Sequence, residues 1–142
     1  MPIRLALPSL ALLMLASAPV AAASIEVAVT NVREAKGFVR VSICPQASFL
    51  KDACPWFASA PAVVGTTIVT VPDVPPGRYA AQAFQDLNSN DKVDRALFGI
   101  PTEPVGFSND APIRLHPPRW ADAAFDHGAE RQRITLKLRS FF

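Results

Sequence analysis

Large apolar residues alternate with polar residues in several short segments of the chain, a period of two that is typical of β-strands with one buried face. In residues 38–43 this alternation places Val39, Val41 and Ile43 on the buried face. Every residue of 66–71 is β-branched, which also favours a strand. The pattern predicts strands at 25–31, 38–43, 66–71, 78–85 and 134–139.

The segments between these strands are rich in Pro and Gly, and 14 prolines in a chain of 142 residues argue against long helices. Gly37 suits a turn residue with positive φ between the first two strands. Two short helical turns are predicted, one across 49–52 with Ser48 as its cap and one within 119–125. The fold prediction is therefore all-β, a single antiparallel β-sandwich of about seven strands with one or two short helical turns.

The first 23 residues have the organisation of a cleavable signal peptide. A short positive segment ends at Arg4, an apolar run follows at 5–17, and small residues precede a cleavage site before Ser24. A membrane-spanning helix needs about 20 apolar residues, whereas Pro8 and Pro19 interrupt this run. We predict a signal peptide at 1–23, a single domain at 24–142, export to the periplasm or the medium, and no membrane-spanning segment after cleavage.

Cys44 and Cys54 are the two cysteines of the chain. An oxidising compartment favours joining them, and their spacing is not the C-x-x-C spacing of a redox motif. The sequence predicts a structural disulfide, which would stabilise the fold by at most about 2.5–3 kcal/mol.

The formal net charge of +2, which falls to +1 without Arg4, is too small and too scattered for a nucleic-acid binder. Partners from that class are therefore not expected.

Residues 84–94, written FQDLNSNDKVD, are the strongest candidate for a metal site. Their spacing of oxygen-bearing side chains resembles the first half of an EF-hand loop, yet Leu97 stands where that loop has a bidentate Glu. A weak Ca²⁺ site would need a further carboxylate, for which Glu103 is the nearest candidate. The candidate ligands are Asp86, Asn88, Asn90, the Lys92 carbonyl, Asp94 and Glu103. The alternative is a plain polar turn, because Asn and Asp bond their own backbone and tolerate positive φ.

Two longer motifs carry family resemblances. The segment VPDVPPGRY at 71–79 resembles the entry into a strand in transthyretin-like, or prealbumin-like, sandwiches. FQDLNSNDKVD, GIPTEPVGFSNDA at 99–111 and the PPRWADAAF segment at 117–125 together resemble the bacterial exported domain-of-unknown-function family 2141. Asp91 stands where that family usually has Gly. The resemblance implies a transthyretin- or immunoglobulin-like sandwich and an exported protein, and it implies no activity.

The candidate catalytic residues form no recognisable motif, since the chain has neither a G-x-S-x-G elbow nor an H-E-x-x-H pair. Those candidates are His116, His127, Asp86, Asp94, Glu103 and Ser108. The sequence therefore favours an exported, non-enzymatic module with no catalytic residues, whose partner is an envelope protein, a peptide or a glycan. A ligand groove built from Glu103, Phe107 and Trp120 is one hypothesis. The alternative function is a periplasmic hydrolase or a carbohydrate-binding accessory protein.

Overall fold

A computed structural model describes residues 1–3, 11–17 and 21–142. The predicted signal segment includes residues 4–10 and 18–20, which lie outside the described residues. Within the described ranges, no helix combines the length and the apolar character needed to cross a membrane.

The structure is mostly β, with eight strands in two sheets and few, short helices in the described part of the chain. The strands are β1 (Ala23–Val32), β2 (Phe38–Cys44), β3 (Trp56–Pro61), β4 (Gly65–Val74), β5 (Gly77–Asp86), β6 (Val105–Phe107), β7 (Phe125–His127) and β8 (Gln132–Lys137). One helix, α1 (Trp120–Ala123), and three 3₁₀ turns at Gln46–Ser48, Leu97–Gly99 and Ser108–Asp110 complete the elements of the described residues. This confirms the all-β prediction.

The smaller sheet has the order β4-β1-β8, and the larger has the order β3-β2-β5-β6, with β7 also pairing with β5. β1 pairs with β8 in parallel, from Ile25 opposite Gln132 to Thr30 opposite Lys137. The prediction of a wholly antiparallel arrangement is therefore wrong at this pair. Alternation of apolar and polar residues identifies a buried face, but it does not encode the direction of the neighbouring strand.

The inward faces of both sheets meet in one hydrophobic core. Val39, Val41 and Ile43 of β2 are buried, as their alternation predicted, and they share this core with Val27 of β1 and Val69 of β4. Burying such side chains is the main favourable contribution to folding, about 1.5–3 kcal/mol for each. The five predicted strands all lie within or overlap observed strands because each has one strongly apolar face.

The short elements depart further from the prediction. The helical turn predicted at 49–52 is absent; a 3₁₀ turn occupies Gln46–Ser48 instead, and Leu50 has a φ of 66° that ends helical geometry. The second predicted turn is present as α1. β3 was not predicted, because its outward residues Phe57, Ser59 and Pro61 mix apolar with polar character.

Cys44 and Cys54 lie at disulfide distance, with sulfur atoms 2.01 Å apart and Cα atoms 5.0 Å apart. This confirms the predicted pairing. Cys44 ends β2 at the edge of the core, so the bond ties the 45–54 loop to the larger sheet.

Candidate functional site

The loop that follows β5 is organised around the carboxylate of Asp86, which has no exposed side-chain surface. The backbone N–H groups of Asn90 and Asp91 donate to its two oxygens at 3.1 and 2.9 Å, and Arg40 Nε donates to Oδ2 at 2.7 Å. Burial raises the pKa of Asp86, but the bond from Arg40 and the two backbone bonds outweigh it and hold the pKa below its ordinary value. Asp86 therefore acts as the buried anchor of the loop.

Arg40 also reaches Asp91, whose Oδ1 lies 2.6 Å from Arg40 Nη2. Asp91 has a φ of 64°, the left-handed conformation that this position requires. The side chain that replaces the expected Gly at this position thus contributes an ion pair with the sheet.

The remaining oxygens of the loop are also engaged. Asp94 accepts from the side-chain amides of Asn88 at 2.6 Å and Asn90 at 2.9 Å, one on each carboxylate oxygen. Glu103 is 4% exposed and accepts the backbone N–H groups of Leu87 and Asp94 on its two oxygens, each at 3.0 Å. The candidate ligand Glu103 therefore does lie against the loop, but both of its carboxylate oxygens accept backbone N–H groups.

Burial raises the pKa of Glu103 above its ordinary value. The two backbone bonds lower it, whereas the nearby carboxylates of Asp94 and Asp86 add to the rise. Glu103 therefore stabilises the loop through its two backbone hydrogen bonds, although burial makes its ionised form less favourable.

All six carboxylate oxygens of Asp86, Asp94 and Glu103 already accept hydrogen bonds from the protein. In the described part of the chain, no cluster of three or more His, Cys, Asp or Glu side chains is arranged to hold a metal ion. The geometry favours the polar-turn interpretation of the loop over the calcium interpretation.

We accordingly expect thermal melts in excess EDTA and in millimolar calcium to coincide, because at Asp94 a Ca²⁺ ion would have to displace the side-chain amides of Asn88 and Asn90. A weak site, with a dissociation constant of about 10⁻⁴–10⁻³ M, would instead raise the melting temperature by several degrees at saturating calcium. A rise that Asp94→Asn removes would contradict the polar-turn interpretation.

Of the six candidate catalytic residues, Asp86, Asp94 and Glu103 share the loop after β5, whereas the hydrogen bonds of His116, His127 and Ser108 lie elsewhere. His127 is buried, with Nδ1 2.8 Å from Gln132 Oε1 and Nε2 3.1 Å from the Val74 carbonyl oxygen. Ser108 donates to the Ala123 carbonyl and accepts from the Ala81 N–H, so its hydroxyl closes a junction between β5 and α1. His116 is exposed and contacts the neighbouring Pro117 carbonyl. Each side chain thus has a local structural partner.

The outer face of the larger sheet forms a groove of about 1600 Å³ that we call the sheet groove. The register of the four strands places its floor residues in two rows across the sheet. These rows are Phe57, Ser42, Gln82 and Phe107, and Ser59, Arg40, Phe84 and Val105. The floor therefore combines aromatic rings with short polar side chains and one guanidinium.

Three loops, at 50–55, 91–101 and 113–118, form the walls of the sheet groove. Gln82 holds the first wall, because its side chain accepts from the Leu50 N–H at 3.1 Å and donates to the Lys51 carbonyl at 3.2 Å. The other two walls carry large apolar side chains in solvent, with Phe98 at 99% exposure and Leu115 completely exposed. The Arg40–Asp91 pair links the floor to the second wall.

Of the three residues predicted to form a ligand groove, only Phe107 lines the sheet groove. Glu103 lies in the 86–103 loop, and Trp120 packs edge-to-face on Phe49, with ring centroids 5.7 Å apart. Sequence reasoning did not single out Phe57, Arg114 or Leu115. Phe57 is 70% exposed at an outward position of β3, and because the sequence did not predict that strand, no sequence signal marked this residue.

A family model described as "uncharacterized protein conserved in bacteria (DUF2141)" matches residues 27–135 of the chain. No curated protein and no solved structure matches the chain. The match covers all the strands that form the floor of the sheet groove and the whole 86–103 loop.

Proposed function

The chain belongs to this bacterial family, DUF2141, and from that premise we propose that it is an exported, non-enzymatic β-sandwich module that binds an extended ligand in the sheet groove. The observation that carries the proposal is the groove itself. Its floor exposes aromatic rings that a sheet facing only water would not need, and binding sites are typically concave and apolar with a few polar groups.

The proposed sandwich, with its transthyretin- or immunoglobulin-like relationship, is supported by the turn between β4 and β5. Tyr79 is buried, and its hydroxyl donates to the Pro75 carbonyl at 2.8 Å. A Tyr that bonds back to the backbone a few residues upstream is a recurrent corner in immunoglobulin-like sandwiches. The shared core of the two sheets agrees with that arrangement.

Export is supported by two features, the signal-like composition of residues 1–23 and the Cys44–Cys54 pair. Disulfides persist in oxidising compartments such as the periplasm. A periplasmic or secreted location would present the sheet groove to the cell envelope or to the medium.

The absence of catalysis is supported by the local bonding of Ser108 and His127, which engages the hydroxyl and the ring that a hydrolase would need free. Screens for esterase, phosphatase and glycosidase activity on the pure protein should therefore be blank. An activity that His116→Ala removed would support the hydrolase alternative instead.

Binding is tested on arrays of glycans and peptides with the wild type and two matched variants. Phe57→Ser removes an exposed ring from the groove floor, and Ile68→Ser removes an apolar side chain that is 43% exposed on the smaller sheet. We expect at least one class of ligand to bind the wild type and Ile68→Ser but not Phe57→Ser. Binding that both variants keep, or no binding at all, would overturn the proposal.

A further inference from the structure

We infer that the ligand of the sheet groove is an anionic polysaccharide, whose sugar rings stack on the floor aromatics and whose carboxylates pair with the cations of the walls. This inference rests on the proposed function and names the ligand class for the same site.

The charge of the sheet groove points to an anion. Five basic residues and two acidic residues line it, a net charge of +3, whereas the chain as a whole carries +2. The remainder of the protein is therefore slightly acidic, with a net charge of −1. Part of that negative charge, Asp86, neutralises Arg40 in the floor, so the excess positive charge of the groove is carried by its walls.

Most of these cations are available to a ligand. Arg40 is engaged by Asp86 and Asp91. Within the part of the chain that the structure describes, Lys51, Lys92, Arg95 and Arg114 have no carboxylate within 4.0 Å. Guanidinium and ammonium groups pair well with carboxylates, and Arg does so through two parallel bonds.

The backbone at the centre of the floor, in β2 and β5, favours a glycan over an extended peptide. β2 pairs with β3 and β5, and β5 pairs with β2 and β6, so the two central strands have no free edge in the groove. A peptide that binds by adding a strand needs such an edge, because its main-chain hydrogen bonds supply the affinity. The free edges of the larger sheet lie at β3 and β6, on the two sides of the floor, so the centre of the floor offers a ligand side chains alone.

Those side chains have the chemistry of sugar recognition. Phe57 and Phe107 lie at opposite ends of one row, with Ser42 between them, and Ser59 lies in the next row. An aromatic face covers the apolar face of a sugar ring, while hydroxyl groups exchange hydrogen bonds with the ring substituents. The alternation of rings and hydroxyls across the strands suits a chain of repeating sugars.

The size of the groove indicates a polymer. Its volume of about 1600 Å³ exceeds the roughly 300–1,000 Å³ typical of sites for small ligands. A single acidic sugar would leave most of the floor and at least one wall without contacts, whereas several linked residues would reach all three walls.

Binding to the oxidised protein is measured by affinity electrophoresis and calorimetry with four probes. These probes are alginate oligomers, dextran oligomers of similar length, poly-glutamate and vesicles containing phosphatidylglycerol. We expect alginate to bind in a salt-sensitive manner and the other three to bind far more weakly. Phe57→Ser and Arg114→Ala should each weaken alginate binding by about tenfold. Ile68→Ser and Arg131→Ala, which alter residues outside the groove, should leave it unchanged. Thermal melts establish that all four variants fold.

Each other outcome overturns the inference in a distinguishable way. Groove-dependent binding of dextran or poly-glutamate, removed by Phe57→Ser, would keep the proposed function and refute the anionic glycan. Binding of vesicles in preference to alginate would refute the glycan and indicate a lipid surface as the partner. Alginate binding that Phe57→Ser and Arg114→Ala leave intact would place the glycan elsewhere, and no groove-dependent binding on probes or arrays would remove both proposals.

Discussion

Gly37→Ala lowers the free energy of unfolding by about 4 kcal/mol or more, enough to leave much of the protein unfolded. Gly37 has a φ of 68°, and a Cβ built there would lie 1.9 Å from the Asp86 carbonyl oxygen and 2.9 Å from its carbonyl carbon. Since both atoms are backbone, no side chain can move aside. Relief would require β2 to separate from β5 where Phe38 pairs with Asp86, which would also displace the loop.

Substitutions at two other glycines distinguish the two causes of that loss, the steric clash and the backbone strain at positive φ. Gly65 has a φ of 92° with open space around its Cβ position, so Gly65→Ala carries backbone strain alone, about 1–2 kcal/mol. Gly128 has open space and no positive φ, so Gly128→Ala should be nearly neutral. Urea unfolding of the oxidised proteins measures all three. If Gly37→Ala lowers the free energy of unfolding no more than Gly65→Ala does, β2 and β5 can separate locally with little loss of stability.

Asp86→Asn lowers the free energy of unfolding by about 2–4 kcal/mol at neutral pH. The substitution keeps the shape of the side chain but removes the charge that Arg40 and two backbone N–H groups recognise. Asn has one acceptor oxygen and one donor group where Asp has two acceptors, so at least one buried donor loses its partner. The matched control is Asp126→Asn at the exposed Arg78–Asp126 pair, 3.3 Å apart, where the expected loss is about 0–1 kcal/mol.

The difference between wild type and Asp86→Asn also depends on pH in a known direction. The pKa of Asp86 is lower in the folded protein than in the unfolded chain, where the ordinary value is about 3.9. Its contribution to stability is therefore fully present above the unfolded pKa and is lost as the pH falls through the folded pKa. Glu103 titrates in both proteins, so the comparison removes most of its opposite effect.

Unfolding curves of wild type and Asp86→Asn, recorded from pH 7 down to the acid transition, measure how the difference in stability depends on pH. We expect the curves to converge only below about pH 4. A difference that is constant across the acid range, or one that grows as the pH falls, would show that the charge of Asp86 does not carry the stabilisation.

The two loop interpretations show how far sequence reasoning reached at the candidate site. The spacing of Asp86, Asn88, Asn90 and Asp94 indicated a polar segment, and Asp86 and Asn90 do accept nearby backbone N–H groups. It could not show which partner each oxygen would take. Arg40 lies 46 residues from Asp86 and reads as an ordinary solvent-facing strand residue until β2 and β5 pair.

The sequence alone determined the features that depend on local pattern and chain chemistry: the all-β class, the buried face of β2, the positive φ at Gly37 and the pairing of Cys44 with Cys54. Tertiary structure decided the parallel pairing of β1 with β8, the Arg40–Asp86 contact and the sheet groove. The physical reason is that alternation fixes which face of a strand is buried, whereas neighbours and register are set by contacts between residues far apart in the chain. Phe57, Ser42 and Arg114 share a surface only because strand pairing and loop packing bring them together.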